Sequence, residues 1–140
     1  MPRFHSPIDD AVLFYRDYKP IKPTQQPALL FIHGWPYSSL MYEQLLLPLC
    51  LEHNLRCIAP DRRGFGNSDW DGVDSSEITY QTLADDTAYL VQLLKVGPFV
   101  AIASSMGPGE TVLAYLSSPY FRENCKVRTK IVSPLSRVYC

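Results

Sequence analysis

Short, continuous apolar segments alternate in this sequence with longer segments that carry apolar residues at helical spacing. The clearest apolar segments are ALLFIH, LRCIAP and FVAIA, at residues 28–33, 55–60 and 99–103. Each is too short for an ordinary helix and lacks the polar alternation of a half-exposed strand, which indicates strands buried on both faces. Helices cover such strands in a parallel sheet. We therefore predict an α/β fold with a mainly parallel sheet and helices on both faces.

The remaining elements complete this alternation. VLFYRDY is rich in β-branched and aromatic residues and predicts another strand, at residues 12–18. We predict helices at about residues 40–52, 80–95 and 106–117, and a last short strand at residues 129–132. Ser38 or Ser39 is expected to cap the first helix, and Pro48 to kink or shorten it. The second helix is expected to end at Gly97.

Length and charge limit the functions that the chain can have. With 140 residues the chain suits one domain, so we expect residues 1–140 to form a single unit. The net charge of -1 and the scattered basic residues give no electrostatic case for binding nucleic acid or an anionic membrane. No apolar segment approaches the length of a membrane span. We therefore expect neither nucleic acid nor a membrane as a partner.

The cysteines indicate a reducing compartment. Cys50, Cys57, Cys125 and Cys140 show no C-x-x-C spacing, and no histidine is placed to complete a zinc site. The N-terminus has no apolar core of the kind that a secretory signal needs. We expect free thiols and a cytoplasmic protein. The sequence leaves the oligomeric state open.

Small and polar residues cluster where the predicted parallel strands end. The three clusters are residues 33–36 (HGWP), 61–69 (DRRGFGNSD) and 104–107 (SSMG). The carboxyl ends of parallel strands lie at one edge of the sheet, and folds of this kind bind their ligands there. We therefore expect the three loops to form one site.

Ser105 lies between a predicted strand and a predicted helix, with Ala103 two residues before it and Gly107 two residues after it. A very tight strand-to-helix turn crowds these two positions, so both must be small, and it raises the serine hydroxyl above the sheet edge. The positive end of the following helix dipole points to the same place. A serine at a helix start often serves only as an N-cap, and this alternative stays open.

The HGWP segment offers a second component of the same site. A backbone N–H just after a glycine-bearing turn can donate to a substrate carbonyl oxygen; Trp35 has such a group, and Pro36 has none. Together with the N–H of Met106, it would form an oxyanion hole. The alternative is a simple turn. His33 is expected to be a buried residue bonded to backbone, not a base.

The loop from Asp61 to Asp69 contains Gly64 and Gly66, which resemble part of a phosphate-binding loop. There is no third glycine at the right spacing and no Gly-Lys-Ser/Thr, so the case for a nucleotide site is weak. We expect Asp61 to pair with an arginine that braces the loop, and the glycines to permit its turns.

Taken together, HGWP, APDRRGFGNSD and ASSMG, in this order and at these separations, resemble the α/β-hydrolase family. The similarity is to its serine esterases and cofactor-free haloperoxidase-like enzymes, over roughly residues 10–135. It implies that Ser105 is the nucleophile, that Trp35 and Met106 supply the oxyanion hole, and that residues 61–69 form a structural loop. Serine at this position argues against the epoxide and haloalkane relatives, which use aspartate. No metal or organic cofactor is implied.

The catalytic partners of such a serine are missing from the sequence. A serine hydroxyl needs a base and a carboxylate that orients it, and in this family both follow the serine. No histidine or aspartate follows Ser105, and Glu110 is expected to lie too near in sequence to be the acid. His5 is expected in a disordered end and His53 at a helix end far from the site. We therefore expect the N-terminal part of a hydrolase core, without the C-terminal strands, the cap, the acid and the histidine.

Three functions remain open on this basis, so whether the chain is an enzyme is also open. The first is a truncated serine hydrolase that acts on carboxylic esters or similar acyl bonds, with a small-molecule acyl substrate as its partner. The second is a catalytically silent module that uses the same cleft to bind a small acyl compound. The third is an unrelated nucleotide-binding α/β domain.

Overall fold

The computed structural model describes residues 2–70 and 78–126. Its strands are β1 (Arg3–His5), β2 (Val12–Tyr18), β3 (Ala28–Ile32), β4 (Cys57–Pro60) and β5 (Phe99–Ala103). They form one mixed sheet in the order β1-β2-β4-β3-β5. The pairs β4–β3 and β3–β5 are parallel, whereas β1–β2 and β2–β4 are antiparallel. The predicted α/β class is confirmed. The strand predicted at residues 129–132 lies outside the described residues.

A short 3-10 helix (Ser39–Tyr42) leads into α1 (Glu43–His53), and the later helices are α2 (Tyr80–Leu93), α3 (Gly107–Ser117) and α4 (Pro119–Asn124). The Ser38 hydroxyl accepts the N–H of Leu40, which confirms one of the two predicted caps. α1 continues through Pro48 to its end at His53, so the proline does not shorten it. No helix among residues 2–70 and 78–126 is both long enough and apolar enough to cross a bilayer.

The second helix ends earlier than the sequence predicts. α2 stops at Leu93, and Lys95, not Gly97, takes the left-handed conformation beyond it, with φ of 47°. This turn lets the N–H of Val96 reach the carbonyl of Val91. The Val96 side chain is buried in the core. Burial of this apolar side chain explains why the chain turns before the glycine.

Helices cover both faces of the sheet. Along β3, Leu30 and Ile32 point into one apolar cluster and Phe31 into the other, as the alternation of side chains along a strand requires. The first cluster includes residues of α2, α3 and α4, among them Leu90, Ala114 and Phe121. The second includes Tyr42 of the 3-10 helix and Leu46 of α1. The predicted placement of helices is confirmed.

Two elements are additional to the predicted ones. β1 pairs with β2, where Phe4 lies opposite Leu13 and both side chains are buried. His5 therefore lies in a strand, and the expectation of a disordered end there is wrong. α4 begins at Pro119, capped by the hydroxyl of Ser118. Neither element has a periodic sequence pattern, because each is too short to show one.

Candidate active site

The loops after β3 and β5 meet at the carboxyl edge of the sheet. The two strands are parallel neighbours, with Ile32 paired to Ala103 at their ends. Gly34 follows the first strand and Ser105 follows the second. A Cβ built on Gly34 would lie 2.7 Å from the Cβ of Ser105. The structure thus brings together these two of the three loops that the sequence predicts at one site. Only glycine fits at position 34, because any side chain there would overlap Ser105.

Ser105 occupies a left-handed bend between β5 and α3. Its φ is 54°, and its side chain is exposed. For a residue other than glycine, this conformation costs roughly 1–2 kcal/mol. Met106, not Ser105, is the N-cap of α3, and the Met106 side chain makes no capping hydrogen bond. The alternative in which Ser105 serves only as a helix cap is therefore wrong.

The residues on either side of this bend are tightly packed. A Cβ on Gly107 would lie 2.9 Å from the carbonyl oxygen of Ile32 and 3.1 Å from the Cβ of Ala103. This is the crowding between the positions two before and two after Ser105 that the sequence predicts. Larger side chains at either position would push β5 and α3 apart. The small residues are thus a geometric condition for the bend.

His33 braces the glycine-bearing turn. Its ring is completely buried, with Nδ1 2.9 Å from the Gly34 carbonyl oxygen and Nε2 3.1 Å from the Arg62 nitrogen. The Arg62 N–H can only donate, so Nε2 accepts and the neutral ring donates from Nδ1. Burial lowers the pKa of His33 to about 4. Both ring nitrogens are occupied by backbone, so His33 is a structural residue, as predicted.

The carboxylate of Asp61 holds the third loop in place. One oxygen accepts the N–H of Ser39 at 2.6 Å and the other accepts the N–H of Asn67 at 2.8 Å. A Cβ on Gly66 would overlap this carboxylate, and Gly66 has a φ of 57°. The expectation that Asp61 pairs with an arginine is wrong, because backbone N–H groups take both oxygens. Gly64, with φ of 74°, also takes a left-handed turn, as predicted.

Arg62 forms a buried ion pair with Glu110 of α3. Its Nε lies 2.5 Å from Glu110 Oε2, and the Thr87 hydroxyl donates to the other carboxylate oxygen. Burial raises the pKa of Glu110, while the charge of Arg62 and the two hydrogen bonds oppose that rise. Within the described part of the chain, Nη1 and Nη2 of Arg62 have no hydrogen-bond partner. Glu110 is committed to this pair, which agrees with the prediction that it is not the acid partner of Ser105.

Arg63 ties the N-terminal hairpin to α2. It donates from Nε to Asp86 at 2.7 Å and from Nη1 to Asp9 at 2.5 Å. Its hydrogen bond lowers the pKa of Asp9. The partners lie 23 and 54 residues away along the chain. No local pattern in the sequence could have identified this network.

The two N–H groups predicted for the oxyanion hole belong to residues next to the Gly34–Ser105 contact. Met106 follows Ser105 in the sequence, and Trp35 follows Gly34. Neither N–H donates a hydrogen bond to any acceptor in residues 2–70 and 78–126. His5 lies on the sheet edge opposite β5, and His53 ends α1 before β4 begins, so neither is brought to Ser105. Within the described ranges, no three His, Cys, Asp or Glu side chains are grouped as metal ligands.

This architecture is similar to that of known proteins. Residues 27–126 match the model of the alpha/beta hydrolase fold. The chain is 37% identical over 114 residues to a bifunctional esterase/perhydrolase of Acinetobacter calcoaceticus, covering 80% of this chain and 37% of that protein. It is 36% identical over 104 residues to a non-heme chloroperoxidase of Kitasatospora aureofaciens, covering 73% and 34%.

A solved structure has a similar fold. The esterase of Exiguobacterium antarcticum matches with a TM-score of 0.78 at 25% identity, over 94% of this chain and 44% of that one. The chain thus spans a little over a third of the length of the curated relatives that it matches. On the family model and these relatives, the chain belongs to the α/β-hydrolase fold family.

Proposed function

We propose that this chain carries the nucleophile and the oxyanion hole of a serine hydrolase that cleaves carboxylic esters or similar acyl bonds. The observation that carries the proposal is the exposed left-handed bend at Ser105, held against Gly34. A strained backbone of this kind persists only where the surrounding packing enforces it, and such residues concentrate at functional sites. The proposed partner is a small acyl compound, not nucleic acid or a membrane.

In the proposed reaction, Ser105 Oγ attacks the carbonyl carbon of the ester. The oxyanion that forms accepts hydrogen bonds from the N–H groups of Trp35 and Met106. Collapse of this intermediate releases the alcohol and leaves an acyl group on Ser105. Water then attacks the acyl group and releases the carboxylic acid. The free N–H groups of Trp35 and Met106 support this assignment of roles.

The proton of the serine hydroxyl needs an acceptor in both steps. His33 is fully engaged with backbone and Glu110 is paired with Arg62, so neither side chain is free to take this proton. We propose slow acylation by residues 1–140 alone unless a base is supplied, since the members of a triad act as a unit. The commitment of these two side chains favours the second candidate, a catalytically silent module that binds an acyl compound.

The proposed setting is the cytoplasm. Cys50, Cys57 and Cys125 are free thiols buried in the described structure, and free thiols are typical of a reducing compartment. The names of the relatives, esterase and esterase/perhydrolase, support ester chemistry.

A fluorophosphonate probe tests the nucleophile directly. The purified chain is treated with the probe, with and without imidazole as an external base, and the modified residue is located by mass spectrometry. We expect labelling of Ser105 that is faster with imidazole and absent in Ser105→Ala. Ser104→Ala is the matched control, because it removes the neighbouring hydroxyl and keeps the bend.

Two results would contradict the proposal. A folded wild-type chain that stays unlabelled even with imidazole would favour the silent binding module. Equal labelling of wild type and Ser105→Ala would place the reactive group elsewhere.

A further inference from the structure

An apolar groove of about 700 Å³ opens beside the turn that holds Gly34. Its lining comes from three segments: the residues just after Gly34, the 3-10 helix, and the segment from Gly64 to Trp70. Most of the lining side chains are aromatic or aliphatic, among them Trp35, Tyr37, Leu40, Met41, Phe65 and Trp70. None of the lining residues carries a formal charge. A volume of this size is typical of sites for small organic molecules.

The groove borders the turn that packs against Ser105. Gly34 packs against Ser105, and Trp35, the next residue, lines the groove. One wall is held by aromatic contacts: the Phe65 ring lies edge-on to His33 at 5.7 Å and is tilted against Trp70 at 6.4 Å. The residue that braces the Gly34 turn thus also supports the groove. The lining is therefore positioned before any ligand binds.

The chemistry of the lining selects the ligand. Trp35, Leu40 and Trp70 expose 67%, 62% and 65% of their surface, and an apolar ligand would remove that surface from water. A carboxylate or ammonium group placed there would lose hydration and find no charged partner. We propose that this groove binds the uncharged aromatic acyl group of the ester, which rests on the function proposed for Ser105.

Intrinsic fluorescence measures binding at this groove, because Trp35 and Trp70 are the only two tryptophans of the chain and both line it. The probe is methyl 4-bromobenzoate, whose bromine quenches tryptophan on contact. We expect saturable quenching by this neutral ester and an affinity about tenfold weaker, or worse, for the anion 4-bromobenzoate. Quenching that does not saturate, or equal affinity for ester and anion, would overturn the proposal.

A charge placed in the groove tests the site itself. Leu40→Glu introduces a carboxylate at an exposed lining position and should weaken ester binding about tenfold or more. Leu51→Glu is the matched control, because Leu51 is 58% exposed on α1 and does not line the groove. Circular dichroism confirms that both variants fold. Equal affinity of Leu40→Glu and wild type would contradict the assignment.

The Ser105→Ala variant separates this inference from the proposed function. It should bind the ester as wild type does, because the groove is intact. If the fluorophosphonate labels Ser105 but the ester does not bind, only the groove assignment is wrong. If the ester binds but Ser105 stays unlabelled, the groove is a binding site, but the proposed reaction at Ser105 is wrong. The groove then does not hold the acyl group of a reacting ester.

Discussion

Gly34 packs against the side chain of Ser105, so close that a Cβ on the glycine would lie 2.7 Å from the serine Cβ. The distance is shorter than two carbon atoms tolerate, so an alanine at position 34 must displace one of the two turns. Because Trp35 follows Gly34, such a displacement would also move the N–H assigned to the oxyanion hole.

Gly34→Ala should both destabilise the fold and slow the labelling of Ser105. Forcing a methyl group into a packed contact costs about 1–3 kcal/mol, measured as the free energy of unfolding in urea. Gly97→Ala is the control, since a Cβ there would meet no atom of residues 2–70 and 78–126 within 4 Å. A Gly34→Ala chain with unchanged stability and labelling would show that the contact can relax freely.

The two glycines of the third loop should differ in their tolerance of alanine. Both have positive φ, so either substitution should cost about 1–2 kcal/mol from backbone conformation. At Gly66 the new methyl group would also overlap the Asp61 carboxylate, whereas at Gly64 the nearest atom is 3.9 Å away. Gly66→Ala should therefore lose about 3 kcal/mol or more in urea unfolding. Equal losses would contradict the packing at Asp61.

The buried His33 ring predicts a stability that falls in mild acid. Its pKa is about 4 in the fold against 6.5 in an unfolded chain, so between these values only the unfolded chain binds the proton. The contribution of the neutral ring is therefore fully present above about pH 6.5 and is lost as the pH falls toward 4, by about 3 kcal/mol in total.

Urea unfolding of wild type and His33→Gln at several pH values checks this. Glutamine does not titrate, so the stability advantage of wild type should shrink on acidification. Parallel curves for wild type and His33→Gln would refute the effect.

The Arg62–Glu110 pair should show strong coupling in a double-mutant cycle. Glu110→Leu alone leaves a buried guanidinium without its carboxylate and should cost about 3–5 kcal/mol. Adding Arg62→Met removes the orphaned charge, so the double variant should regain most of that loss. Glu123→Leu, at an exposed position of α4, should change stability by less than about 0.5 kcal/mol. Additive losses from the two single variants would argue against a buried pair.

The sequence predicted the central strands, the helices and the tight turn at Ser105 because each depends on neighbouring residues. A buried strand is a local apolar run, and the crowding of Ala103 and Gly107 follows from their spacing around the serine. The family resemblance is confirmed, and the alternative of an unrelated nucleotide-binding domain is wrong. The catalytic roles of Ser105, Trp35 and Met106 stay predictions.

The contacts between distant segments could not be predicted. Asp61 is bound by backbone N–H groups of two separate turns, and Arg62 finds its carboxylate 48 residues away. Such pairs depend on the assembled fold, because their partners lie far apart in the sequence. The apolar groove has the same origin, since Leu40 and Trp70 become neighbours only when the 3-10 helix packs beside the loop.

The left-handed backbone at position 105 also bears on which reactions this scaffold can support. Its conformational cost comes from the Cβ and not from the hydroxyl, and the neighbours packed around it are Gly34, Ala103 and Gly107. The turn that presents the reactive group therefore does not depend on which reactive side chain it carries. A cysteine or an aspartate could replace the serine without rearranging this turn, so a single substitution can change the chemistry of this fold.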